Sequence, residues 1–203
     1  MRRIPAIAVA VTAALALLSA CAPAAPFDIR GQLRRPVIDR SPQPLLLAEM
    51  PSRNLLATLV PRDVDGDVVT WQSAQNQTLS LHDGVLVATR GLGDDLMSAD
   101  VGRTLNALRS GGSAQAYPRL LTYLDGDGQT VFRSLLCDMD GGRPDTVDSF
   151  DVAFATTLHV ESCQTIGARI ENRYWLNADG TMRRTQQWVG PATGPLAIEW
   201  LSR

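Results

Sequence analysis

A chain of 203 residues with 21 acidic residues, 19 basic ones and a formal charge of −2 has no general electrostatic pull toward nucleic acid or anionic lipid. Every basic residue is an arginine, which the abundance of Ala, Gly, Val and Leu attributes to GC-rich codon usage and not to a site. The length suits one good-sized domain, or two small ones sharing a core.

Arg2 and Arg3 form a positive n-region, and Ala6 to Leu18 is an apolar run too short to span a bilayer, which takes about 20 residues. Leu18-Ser19-Ala20-Cys21 follows directly and resembles a bacterial lipobox. In lipoproteins of that type a small residue before the cysteine fits a signal peptidase, and the thiol receives a diacylglycerol. The alternative is an ordinary secretory signal with Cys21 incidental. The expected organisation is a signal peptide over 1–20, a lipidated Cys21 with a Pro-rich tether over 21–44, and a single β-rich domain over 45–203. Loss of Arg2 and Arg3 takes the 19 basic residues to 17 against 21 acidic. Ala22, in place of Asp, follows the cysteine and favours the outer membrane under the sorting rule of enteric lipoproteins.

The tether is broken by Pro23, Pro26, Pro36, Pro42 and Pro44, and a flexible segment of its length reaches about 25 Å. Phe27, Leu33, Val37 and Ile38 are the residues that would dock it on the domain. From Leu45 the pattern is strand-like almost to the end. Asp65-Gly66-Asp67 reads as a turn between two strands, and Asp83-Gly84 supplies the positive φ that a tight hairpin turn requires. Val101, Leu105 and Leu108 at helical spacing, with Ser98 or Asp100 as cap and Gly111-Gly112 as stop, predict one short helix at about 98–110. Further turns fall at Asp125 to Gly128, at Gly141 to Pro144 and at Asn177 to Gly180. Between them, Phe150 to Glu161 alternates as a strand with one face on a core, its even-numbered apolar residues on one side and Thr157, His159 and Glu161 on the other. The fold class expected is all-β: an antiparallel meander of about eight to ten strands forming a sandwich, barrel or half-barrel.

Cys137 and Cys163 would lie in an oxidising compartment, where a disulfide between them is the natural expectation and two buried thiols the alternative. Asp63, Asp65 and Asp67 fail the EF-hand spacing and read as turn residues, not a calcium site. His159, Glu161 and Cys163 share one strand face, but three such positions spread over about 13 Å, too far to surround one metal ion. No nucleophile, nucleotide or cofactor motif is present, and adjacent acids such as Asp94-Asp95 predict no glycan hydrolysis by themselves. Aromatic side chains offer faces that pyranose rings stack on. Core packing is the expected role for most of the tryptophans and tyrosines. Tyr174 and Trp175, however, are neighbours on a predicted strand and point to opposite faces, so one of the two looks outward. Tyr174, Trp175 and Trp188 are the candidate residues for a glycan or partner surface.

Asn172-Arg173-Tyr174-Trp175, Asp179-Gly180, Gln186 to Pro191 and Ile198-Glu199-Trp200-Leu201 resemble the C-terminal signature of the YjbF/GfcB lipoproteins of exopolysaccharide and group 4 capsule loci. Trp71-Gln72-Ser73 and the run from Leu81 to Leu96 agree with it. The resemblance implies a mainly β, outer-membrane lipoprotein facing the periplasm. It also implies work beside a companion outer-membrane barrel and other periplasmic proteins in making or exporting a polysaccharide. It carries over no catalytic residue. A non-enzymatic accessory is the leading expectation; a glycan-modifying enzyme with an acidic site and a lipid or lipoprotein carrier are the alternatives. A cleft with facing carboxylates would favour the enzyme, a large apolar cavity the carrier, and a filled core the accessory.

Overall fold

The structure, a computed structural model, describes residues 29–202. The expected signal peptide and Cys21 lie outside the described residues. Two helical turns, α1 (Ile29–Gln32) and α2 (Arg35–Ile38), come first. Strands β1 (Leu46–Met50), β2 (Leu55–Asp65), β3 (Val68–Ser73), β4 (Thr78–His82), β5 (Val85–Arg90) and β6 (Ser98–Ala99) follow, then helix α3 (Gly102–Arg109). The chain ends with β7 (Ala114–Leu124), β8 (Thr130–Met139), β9 (Arg143–Ser149), β10 (Val152–Thr165), β11 (Ala168–Leu176), β12 (Met182–Gly190) and β13 (Gly194–Trp200).

The thirteen strands among the described residues exceed the number read from sequence, and two of the additions, β6 and β9, have a common cause. β6 has two residues, and β9 carries Pro144, Asp145 and Asp148 with Val147 as its one apolar side chain, so neither shows an alternating pattern. Proline is tolerated in β9 because it is an edge strand, bonded only to β10.

Every pairing is antiparallel, and twelve strands run in the order β5-β4-β3-β2-β1-β13-β12-β11-β10-β8-β7-β6. The last strand, β13, lies beside the first, β1, so the sheet's first and last strands meet in mid-sheet. The sheet curls into a nearly closed barrel. Its two edges are drawn together by the segment between them: Thr89 N–H donates to the Leu96 carbonyl at 2.9 Å, and Met97 N–H to that of Thr122 at 2.8 Å.

Side chains bridge the walls across the interior. The Gln187 amide on β12 accepts from Leu86 N–H (2.8 Å) and donates to the Gly84 carbonyl (2.9 Å). The Tyr123 hydroxyl on β7 donates to the Val189 carbonyl. Leu46, Leu79, Leu86, Leu96, Leu196 and Ile198 fill the space between. The barrel is therefore a packed core and not a channel.

α3 is shorter than predicted because Ser98 and Ala99 pair with β7 as a strand. The residue at the N-cap is Val101, whose apolar side chain cannot cap, and Asp100 just before it accepts from Gly102 N–H at 3.1 Å. Leu105 and Leu108 turn inward, and Gly112 N–H closes the helix on the Ala107 carbonyl at 2.7 Å. Gly112 adopts φ +94°, and a Cβ there would meet His159 Nδ1 at 2.1 Å; on the other side a Cβ on Gly142 would meet the same ring at 2.4 Å. Gly112→Ala should therefore cost at least about 2 kcal/mol in a thermal or urea melt. An unchanged melt would mean that the His159 ring moves aside at no cost.

β10 does not present one core face along its whole length. Its second half turns His159, Glu161 and Cys163 inward, while its first half, paired with β9, folds back as an arm over the outside of the barrel. The even-numbered face covers that outer wall: the Arg183 guanidinium lies 3.9 Å from the Phe154 ring centroid, and Phe150 joins Ile38, Leu47 and Leu201 in a small outer cluster. Of the residues expected to dock the N-terminal segment, Leu33 and Ile38 pack into this cluster, Val37 is exposed, and Phe27 lies outside the described residues. Arg30 reinforces the contact from Glu49 (3.3 Å), Glu199 (3.6 Å) and the face of Phe150 (5.6 Å).

Candidate functional site

The chemistry-bearing side chains collect in two places, one sealed and one open. The sealed place surrounds Glu161, which is fully buried. Its Oε1 accepts from the hydroxyls of Thr104 on α3 and Tyr117 on β7, both at 2.6 Å. Its Oε2 accepts from Arg119 on β7 (2.6 Å), Asn172 on β11 (2.7 Å) and Tyr174 on β11 (3.0 Å). Five donors from two strands and the helix saturate a carboxylate that offers about four lone-pair sites.

Burial alone would raise the Glu161 pKa, but the Arg119 guanidinium and these hydrogen bonds outweigh it and hold the carboxyl below its ordinary value. Burial and the facing carboxylate push the tyrosine hydroxyls of 117 and 174 up, so both stay neutral donors. An ionised acid with every oxygen engaged by protein donors has no capacity left to take a proton from a substrate. Its work is positional: it ties α3 into the barrel through Thr104.

Beside it, Cys137 and Cys163 stand directly opposite each other on β8 and β10 with Cα atoms 4.0 Å apart, joined as a disulfide. The two sulfurs and a Glu161 oxygen lie within 4.8 Å of one another, a metal-like grouping whose thiols are spent on each other. Antiparallel pairing achieves what spacing along one strand did not: it brings Cys137 to Cys163 from the neighbouring strand, while His159 points instead between Gly112 and Gly142.

The proposed aromatic surface requires a correction. Tyr174 is fully buried, because its position on β11 alternates inward and its hydroxyl reaches Glu161. Trp175 does face outward, yet the β9–β10 arm partly covers it: its indole donates to Asp145 at 2.8 Å and holds that carboxyl below its ordinary value. Arg184 lies 5.6 Å from its ring centroid. Trp188 is half-buried against the core, edge-on to Tyr123 at 6.3 Å between centroids. The three residues form no continuous surface.

The open place is a cleft of about 710 Å³ at the end of the barrel where α3 terminates. Three turns read from the sequence converge on its rim and bring Asp67, Asp83 and Asp179 there, with Arg109 from the helix. Arg109 pairs with Asp83, His82 Nε2 lies 3.8 Å from Asp67, and Thr181 donates to Asp179 from both its hydroxyl (2.6 Å) and its N–H (2.9 Å). The floor is apolar: Trp71, Trp200, Leu105 and Met182. A second cleft of the same volume opens at the other end under the β1–β2 connection, with Arg30 at its lip and leucines, Ala48 and Met50 in its wall.

Four of the segments that carry the sequence resemblance, at Trp71, around Asp83-Gly84, at Asp179-Gly180 and at Trp200, meet in the first cleft. Residues 16–201 match the family described as group 4 capsule polysaccharide lipoprotein gfcB, YjbF. The chain belongs to this family.

The crystal structure of the hypothetical lipoprotein YmcC from Escherichia coli (K12) aligns with the barrel at a TM-score of 0.72. The alignment covers 100% of this chain and 98% of that one at 15% identity, so the likeness is one of fold. A Bacteroides fragilis NCTC 9343 protein of YmcC-like fold aligns over 79% of this chain and 93% of its own at 11% identity; its TM-score of 0.35 carries no argument. No curated protein matches the chain. This YjbF/GfcB family member thus has a filled YmcC-like barrel with recesses at both ends. The Glu161 network escaped the sequence reading. Its available signal was Arg119, a charge standing at an alternate position between Tyr117, Leu121 and Tyr123 on an inward strand face.

Proposed function

We propose that the protein is an outer-membrane lipoprotein, lipidated at Cys21 with its domain in the periplasm, that acts as a non-enzymatic accessory in producing or exporting an extracellular polysaccharide. The observation that carries this reading is the family membership, joined to a barrel whose interior is filled and whose buried acid is fully engaged. Its partners in this reading are an outer-membrane barrel protein and periplasmic proteins of the same locus. Deleting the gene should strip polymer from the cell surface, with restoration by the intact gene. Cys21→Ser should release the protein from membranes and fail to restore. Unchanged surface polymer after deletion would refute the reading, and a Cys21→Ser protein still processed and membrane-bound would refute the anchor.

A carrier of acyl chains is a second reading, favoured by the largely apolar cleft under the β1–β2 connection. Co-purification of phospholipid with the delipidated domain, at about one molecule per chain, would support it.

A further inference from the structure

We propose that the cleft at the α3 end of the barrel is a binding subsite for saccharide units that carry no acidic group. The proposal rests on the polysaccharide reading above and adds to it a place and a ligand class. The cavity, at about 710 Å³, falls within the range of small-ligand clefts, about 300–1,000 Å³. Two features of its construction point to sugar.

The first is the floor. Trp71 from β3, itself largely buried, and Trp200 from the end of β13 both line one recess, although they lie 129 positions apart in the chain. Leu46 pairs with Trp200 and faces the core, so Trp200 stands at the inner lip, where the core ends and the recess begins. An apolar, partly aromatic floor suits the C–H face of a pyranose ring.

The second is the rim. Asp67, Asp83 and Asp179 project from three separate hairpin turns around the opening, and all three are exposed. Each is steadied by one neighbour: His82 beside Asp67, Arg109 on Asp83 and Thr181 on Asp179. A carboxylate has about four acceptor sites, so each keeps lone pairs free for sugar hydroxyls, which are donors of the right kind. The hydroxyl and backbone donors of Thr181 hold Asp179 below its ordinary pKa, so it stays an acceptor.

The sign of the rim sets the specificity. Three carboxylates face one guanidinium and one imidazole. Uronic acids and other anionic units meet like charge at the opening, neutral units do not, and amino sugars gain an ion pair. The expected order of affinity is amino sugar, then neutral hexose, then uronate.

The test uses the full lipidated protein in detergent micelles, titrated with a chitosan tetramer, maltotetraose and tetragalacturonic acid. Binding is read by calorimetry and by tryptophan fluorescence. The first two should bind with dissociation constants of about 1 mM or tighter, and the uronate at least about tenfold more weakly. Trp200→Ala should weaken the first two by about tenfold. Because Trp200 also touches the core, a second variant changes only exposed groups: Asp67→Asn with Asp83→Asn should raise uronate affinity to within about threefold of maltotetraose. Uronate binding as tight as the neutral tetramer, or no response of discrimination to the paired Asn variant, would overturn the proposal. So would the absence of any binding up to about 10 mM, even where gene deletion still strips the polymer; that combination leaves the accessory reading standing and removes the subsite. Loss of the reading itself is a separate result, unchanged polymer after deletion.

Discussion

Arg119→Met should destabilise the barrel by about 3–5 kcal/mol and lower its melting temperature by on the order of 10 °C. The size of the effect comes from what is left behind. Met fills much of the arginine's volume, but Glu161 then remains fully buried with hydroxyl and amide donors and no countercharge. The Arg119 guanidinium also touches the Tyr174 hydroxyl at 3.3 Å, so the tyrosine loses a neighbour as well.

The pH dependence distinguishes this mechanism from simple loss of packing. In the native protein the folded carboxyl of Glu161 lies below its ordinary 4.5, because Arg119 and the surrounding donors outweigh burial. A depressed folded pKa contributes stability that is complete above the unfolded value and drains as pH falls toward the folded one. Without Arg119, burial prevails and the folded pKa rises above the unfolded value. The sign then reverses: the variant is best placed below that value and loses stability as pH rises through its folded pKa. Melts at about pH 4 and about pH 7 should therefore show the deficit of Arg119→Met shrinking in acid. A deficit of equal size at both values would mean that lost packing, and not the stranded charge, is the cause.

Removing the disulfide should be the other large loss. The Cys137–Cys163 link closes a loop with a sequence separation of 26, which in chain-entropy arithmetic is worth about 3.5 kcal/mol. Both cysteines are fully buried in the wall beside Glu161, so the pair Cys137→Ala with Cys163→Ala also leaves small voids. Native protein without reductant should yield no labelled thiol at either position, and the double alanine variant should melt on the order of 10 °C lower. Full labelling of the unreduced native protein would remove the bridge from the account. Because the sulfurs and the Glu161 carboxylate lie within 4.8 Å, the two losses should not add; combining Arg119→Met with the alanine pair measures the coupling.

Much of the fold was legible because its instructions are local. Asp83-Gly84 and Asp179-Gly180 place turns with no help from the rest of the chain, since the left-handed backbone they need belongs to the turn residues themselves, Asp83 and Gly84 in one and Gly180 in the other. The stripe of Leu105 and Leu108, stopped by Gly111-Gly112, marks the helix for the same reason. β9 was not legible: an edge strand paired on one side and largely exposed needs no alternation, so its sequence carries none.

What the sequence by itself determined is the set of hairpins, the all-β class, the short helix, and the strand alternation that puts Tyr174 and Trp175 on opposite faces. Which of those faces is inside was settled only when the sheet curled, because alternation distinguishes two sides without naming either. The curl turned Tyr174, Glu161 and Arg119 inward to one another, although Arg119 and Glu161 lie on strands that are not even adjacent in the sheet. It also gathered Asp67, Asp83, Asp179, Trp71 and Trp200 around one opening. A cluster made of residues so far apart in the chain is a product of sheet order and closure, and those depend on tertiary packing that no local stretch encodes.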